Sequence, residues 1–190
     1  MSFSEVLDTN GKICTKYIDS SKIYLDIENV NFLQTNLNLL QSEIAEIIDR
    51  QQYAEFYAVM PAENATAVAP GDSVDFPNNG SFFGGIVRSG TSAFEFVLPV
   101  VGSYEVYFSV SVAEAGQLGV LLNSALVPSS IVGKDGLDSQ LIGRCVVDTT
   151  VANSILSIVN PISNSTSLTL TPNAGGTEAV TATLLIKRLK

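Results

Sequence analysis

Few residues in this chain have the types and spacings that chemistry needs. Four aspartates in turn-forming surroundings, Asp72, Asp75, Asp135 and Asp138, offer the hard oxygen ligands that a divalent cation such as Ca2+ takes. They lack the spacing of an Asp-x-Asp-x-Asp-Gly loop and read as solvated turn residues, so no metal is expected. Glu95 and Glu105 are the nearest thing to a glycosidase pair, yet nothing in the sequence brings them together. The chain contains no His, which removes the commonest general base and metal ligand and excludes Ser-His-Asp and Cys-His catalysis. Its two cysteines, Cys14 and Cys145, are far apart and form neither a CxxC knuckle nor a small disulfide framework. Cys145 reads as a small buried residue of a strand, whereas Cys14 is a candidate for cross-linking neighbouring chains. Gly84-Gly85 and Gly175-Gly176 lack phosphate-loop spacing, and the sequons at Asn64 and Asn164 carry little weight without a secretory signal. Neither catalysis nor a cofactor is expected.

Composition points instead to self-association. Only 15% of the 190 residues are charged while 46% are hydrophobic, and mean hydropathy is +0.29. That balance suits a subunit burying much of its surface against its own copies. A formal net charge of −9, with no basic run, argues against a nucleic-acid partner. The first twelve residues (MSFSEVLDTNGK) have no apolar core, and no run of 18 apolar residues occurs, so neither a signal peptide nor a membrane span is expected.

The element that must gather those copies lies at 30–51. Apolar residues fall at Val30, Leu33, Leu37, Leu40, Ile44 and Ile47, alternating steps of three and four, which is the seam of a three-heptad coiled coil. With Val30, Leu37 and Ile44 at a, and Leu33, Leu40 and Ile47 at d, the other faces carry mostly Asn, Gln, Thr, Ser and Glu. The seam lacks both the Ile-at-a, Leu-at-d series of two-stranded coils and a polar residue that enforces a dimer, so three strands are expected. Six seam side chains are few for an independent coil, and tethering to a trimeric head would raise their local concentration enough to make it form. Asp19-Ser20-Ser21 is the candidate cap, and the stalk is placed at 23–52 after a leader at 1–22.

After Gln52 the hydrophobic period changes to two. Residues 53–60 put Ala54, Phe56, Ala58 and Met60 on one face and Tyr53, Glu55, Tyr57 and Val59 on the other. Further strands are expected at 73–76, 82–88, 92–98, 102–113, 117–122, 125–132, 139–148, 154–160, 167–171 and 178–189, separated by Gly, Pro and Asn turns. Ten or so strands at this spacing indicate an antiparallel sandwich or jelly roll. The last strand has apolar residues on both faces, which suits a central position next to a subunit interface.

The runs at 53–61 (YAEFYAVMP), 67–71 (AVAPG), 74–77 (VDFP), 102–112 (GSYEVYFSVSV) and 168–172 (LTLTP), with Asn160-Pro161 and the AGGT at 174–177, resemble the C1q/TNF-like head of bacterial collagen-like exosporium glycoproteins of the BclA type. The resemblance spans 53–190. It implies a ten-stranded jelly roll, mainly β, that forms a compact homotrimer, and it implies no catalytic residues. Such proteins carry Gly-X-Y repeats upstream, and this chain carries a coiled-coil stalk there instead.

Two functional expectations follow. One is a non-enzymatic homotrimeric head decorating a spore, filament or virus particle, with 1–22 gripping a larger scaffold. The other is an adhesin head whose loops, 134–138 among them, recognise a glycan or host protein.

Overall fold

The computed structural model describes the backbone of residues 3–7, 13–17, 20–59, 63–170 and 180–190, and side chains in those ranges from Glu28 onward, apart from residue 50. The expected turns at 9–11 and 172–176, the cap residue Asp19, the positions Met60 and Pro61, the start of the last strand at 178 and the side chain of Cys14 lie outside the described residues. Two compact units divide at Ile47 and Ile48.

In the first unit, β1 (Phe3–Leu7) and β2 (Ile13–Tyr17) pair antiparallel, Phe3 opposite Tyr17 and Leu7 opposite Ile13. The leader thus contains short strands. Helix α1 (Ser20–Arg50) follows and is 31 residues long, its residues from Ile48 onward, Asp49 among them, belonging to the second unit. Its end is tightened by a bond from the Gln51 N–H to the Ile48 carbonyl at 3.1 Å.

The second unit is a two-layer antiparallel sandwich in which eleven strands are described. These are β3 (Tyr53–Val59), β4 (Asn78–Phe83), β5 (Val87–Arg88), β6 (Phe96–Leu98), β7 (Ser103–Val112), β8 (Gly116–Leu122), β9 (Ala125–Leu126), β10 (Val132–Lys134), β11 (Ser139–Asp148), β12 (Ser154–Val159) and β13 (Val180–Arg188). One sheet runs β11-β7-β13-β3-β4; the other runs β10-β8-β12-β6-β5 with β9 beside β8. The C-terminal strand is central, as its two-faced apolar pattern required, with β3 on one side and β7 on the other.

Period-two alternation places the core. Along β7 the residues Tyr104, Val106, Phe108, Val110 and Val112 are buried while their neighbours are half-exposed. From the facing sheet come Phe96, Leu98, Leu118, Val120, Leu156 and Ile158, all buried. Phe96 stacks tilted on Phe56 at 4.3 Å between centroids and meets Phe76 edge-on at 6.1 Å. The buried hydroxyl of Tyr104 donates to the Val100 carbonyl at 2.6 Å, which keeps its polar end satisfied. Cys145 is buried, as expected, and burial pushes its thiol pKa up.

Several expected strands are shorter than their apolar pattern, each for a local reason. Residues 73–76 form no strand: Ser73 makes a single bridge to Val159, and Asn64 occupies the backbone of Asp75 with both ends of its amide. The expected strand 82–88 splits at Gly84, whose φ of +88° is left-handed, and its first half begins back at Asn78. Residues 92–95 turn because the Ser92 hydroxyl accepts from the N–H groups of Phe94 and Glu95. Pro128 opens a 3-10 turn within 125–132, and in the described part of 167–171, which ends at Leu170, only the isolated bridges of Leu168 and Leu170 form.

Candidate functional site

Each unit exposes apolar side chains. On the helix, Val30, Leu33, Leu37, Leu40, Ile44 and Ile47 are all exposed, between 49% and 64%. At 1.5 Å rise per residue they line a stripe about 25 Å long. The rest of the helix is less uniformly polar than its composition implied. Phe32 and Leu39, seven residues apart and outside the seam, are exposed as well, while Gln34 and Asn38 bond to each other along the surface at 3.1 Å.

In the sandwich, exposed apolar residues gather on the outer face of the five-stranded sheet, while others, such as Phe82 and Val87, lie beside a separate recess. Strand register builds it row by row. Tyr57, Thr183, Ser109 and Ile142 lie side by side in β3, β13, β7 and β11; Glu55, Leu185, Tyr107 and Arg144 form the next row; Tyr53, Lys187, Glu105 and Val146 form the third. All twelve are exposed or half-exposed, whereas the residues between them along each strand are buried. Ile142, Val146, Leu185 and Tyr53 are the most exposed apolar members, and Tyr57 and Tyr107 stand half-buried among them. The facing sheet differs: there Leu126, Ser130 and Ile131 fold over Gly119 of β8. Glu105 accepts a bond from Arg144 Nε at 2.6 Å on the open face, so it sits in one sheet while Glu95 precedes β6 of the other. The two carboxylates belong to different layers and make no glycosidase pair.

The remaining sequence candidates fall in the loops. Asp72 and Asp75 line a recess of about 510 Å3 together with Asn64, Thr66 and Phe94. Burial raises the pKa of Asp75, and among the described residues no side chain or N–H donates to its carboxylate. Asp135 lines a separate recess of about 420 Å3 with Gln117 and Lys134. The four aspartates therefore do not converge, and no group of three acidic or cysteine ligands occurs among the described residues. Lys134 gives its ammonium to the Val112 carbonyl at 2.7 Å. Both sequon amides serve the fold: Asn64 Nδ2 donates to the Asp75 carbonyl at 2.8 Å, and Asn164 Nδ2 donates to Asn160 Oδ1 at 2.6 Å.

Sequence reasoning missed two positioning residues. Asn160 is fully buried and donates through Nδ2 to the carbonyls of Val68 and Thr166 at 2.9 and 3.0 Å, while its backbone bonds Gly71 and Asp72. It thereby pins the loop that carries Asp72. Arg188, also buried, donates to the Asp49 carbonyl at 3.0 Å, to the Asp49 carboxylate and to the Lys190 carbonyl. The signal for Arg188 was its position: a basic residue on the inward alternation of β13, where only a paired guanidinium is tolerated.

No family model and no curated protein matches the chain. Similarity is to solved structures. The globular domain of zebrafish complement 1qA protein superposes with a TM-score of 0.51 at 13% identity, covering 74% of this chain and 98% of that one. Murine APRIL aligns at 11% identity with a TM-score of 0.45, covering 72% of this chain and 98% of that one. The likeness is one of fold: the sandwich has the jelly-roll fold of the complement 1qA globular domain.

Proposed function

We propose that the chain is a non-enzymatic structural protein whose jelly-roll head assembles as a homotrimer, with residues 30–47 joining as a three-stranded coil. One observation carries this reading. The three rows crossing β3, β13, β7 and β11 present Tyr53, Tyr57, Tyr107, Leu185, Ile142 and Val146 on a face that no described residue of the sandwich covers. Exposed apolar side chains gathered on one face, here interspersed with Glu55, Glu105, Arg144 and Lys187, mark an association site. Two further copies of the same chain are its occupant, because the uncovered helix stripe makes the same demand and a head-to-tail contact repeated about a three-fold axis closes into a ring. Aromatic residues such as Tyr107, on the inner strand β7, are the usual anchors of an interface.

The coil supplies register to the head, and residues 1–22 hold the assembly to a larger scaffold. The setting is the surface of an assembled particle, such as a spore, a filament or a virion. Among the described residues no helix is long and apolar enough to cross a membrane. Sedimentation velocity on Tyr107→Arg/Leu185→Arg tests the head interface. Three guanidinium pairs brought together at the axis should reduce the trimer to monomers with unchanged strand signal. A variant that sediments as a trimer would show that this face is not the interface. Labelling the chain on the particle it comes from tests the setting, and a label confined to the particle interior would refute it.

A further inference from the structure

The recess beside Asp75 has no part in the proposed assembly: none of its lining residues belongs to the three open rows of the sheet. Its volume, about 510 Å3, falls within the roughly 300–1,000 Å3 of small-molecule sites. Its chemistry is one-sided. Asp72 and Asp75 supply carboxylate acceptors, Thr66 and Ser73 supply hydroxyls, and neither Lys nor Arg lines it. Phe94 stands over it with 40% of its surface exposed, an apolar platform in an otherwise polar hollow.

The walls are fixed in advance. Asn64, held at a left-handed φ of +58°, clamps the Asp75 backbone with both ends of its amide at 2.8 Å. On the other side Asn160 ties down Val68, Gly71 and Asp72. Because Asn64 consumes the main chain of Asp75, the carboxylate itself is left half-buried with its acceptor capacity free of any donor among the described residues. Desolvated acceptors of this kind favour a ligand that brings its own donors.

From this geometry we infer that the recess binds a neutral hexopyranose residue of a glycan. Adjacent ring hydroxyls donate to the carboxylates of Asp75 and Asp72, and the C–H face of the ring lies on Phe94. The unneutralised carboxylates repel sulfated, phosphorylated or sialylated sugars. This adds a binding activity to the proposed structural role and stands independently of it.

Saturation-transfer NMR on the full chain tests it, with the methyl glycosides of glucose, galactose, mannose and N-acetylglucosamine as millimolar probes. At least one glycoside should receive transfer at its ring protons. Asp75→Asn and Phe94→Ala should each weaken that interaction about tenfold or more, and Asp135→Asn, in the other recess, should leave it unchanged. Asp72→Asn changes an exposed side chain, so it reports on binding even if a neighbouring variant folds poorly. No transfer to any of the four glycosides would overturn the inference, as would transfer that persists undiminished in Phe94→Ala and Asp72→Asn. A response to calcium chloride or to putrescine, with none to the glycosides, would assign the recess to cations and overturn it equally. The mass of the same sample separates this outcome from any failure of the trimer.

Discussion

Replacing Leu37 and Ile44 together with Asn is the sharpest way to ask which unit drives assembly. Both side chains lie at a positions of the helix stripe and are 49% and 55% exposed in one chain. About half of the benefit of burying each one is therefore still to be gained on association. Full burial of such a side chain stabilises by about 1.5–3 kcal/mol, so the remaining gain is about 0.7–1.5 kcal/mol per residue. Over the six copies in a trimer this amounts to about 4–9 kcal/mol, an upper figure because an unfolded chain already hides some apolar surface. Asn forfeits that gain and brings polar groups into the seam. Far-UV circular dichroism of the full chain should show the helical signal reduced and melting broadly at lower temperature, while light scattering still reports three chains. Monomers in the double variant would reverse the hierarchy and make the helix the driver. A helical signal and melting profile identical to the unmodified chain would mean that the stripe has no partner at all.

Three other perturbations probe the head. Gly143→Ala places a Cβ about 2.2 Å from Cζ of Phe108, directly across from it in β7; the overpacking should cost about 1–3 kcal/mol in urea denaturation, and unchanged stability would refute the ring's fixed place. Asn160→Ala removes the Nδ2 donor that serves the buried Val68 carbonyl and the more exposed Thr166 carbonyl, for an expected loss of about 1–3 kcal/mol in the same assay; a neutral effect would mean that the loops are held by something else. The hydrogen bond from Arg188 holds the Asp49 carboxyl below its ordinary 3.8. A folded pKa below the unfolded one gives stability that is complete above the ordinary value and is lost as pH falls through the lowered one. Asp49→Asn should therefore melt earlier than the unmodified chain at neutral pH, with the gap closing in strong acid; a gap independent of pH would rule out the ion pair as its source. Because the Asp49 carboxylate is half-exposed, solvent keeps the effect modest.

The features that were legible in the sequence are those written as a period. Steps of three and four at 30–47 foretold a helix, alternation in 53–60 and 102–113 foretold β3 and β7, and the apolar run at 139–148 foretold β11. Leu185 marked the outward face of β13 because an apolar residue on that alternation had no core to enter. What periodicity could not show was where polar side chains take over backbone groups. Ser92 and Asn64 each divert N–H groups that a strand would have used, so expected strands became turns. The recess at Asp75 escaped notice for a related reason. It is assembled from 63–75, Phe94 and the buried Asn160, segments that long-range hydrogen bonds bring together, and no spacing along the chain encodes that meeting. The acidic residues were visible as types, but the separation of Asp72 and Asp75 from Asp135 depends on which loop each one occupies.

The central claim is that three copies close over the open sheet face. Multi-angle light scattering on the full chain as it elutes from a sizing column tests it most directly, over a hundredfold range of concentration. The account predicts a single species of three times the 20.2 kDa chain mass that persists on dilution. A species of one chain mass, or of two, would contradict it.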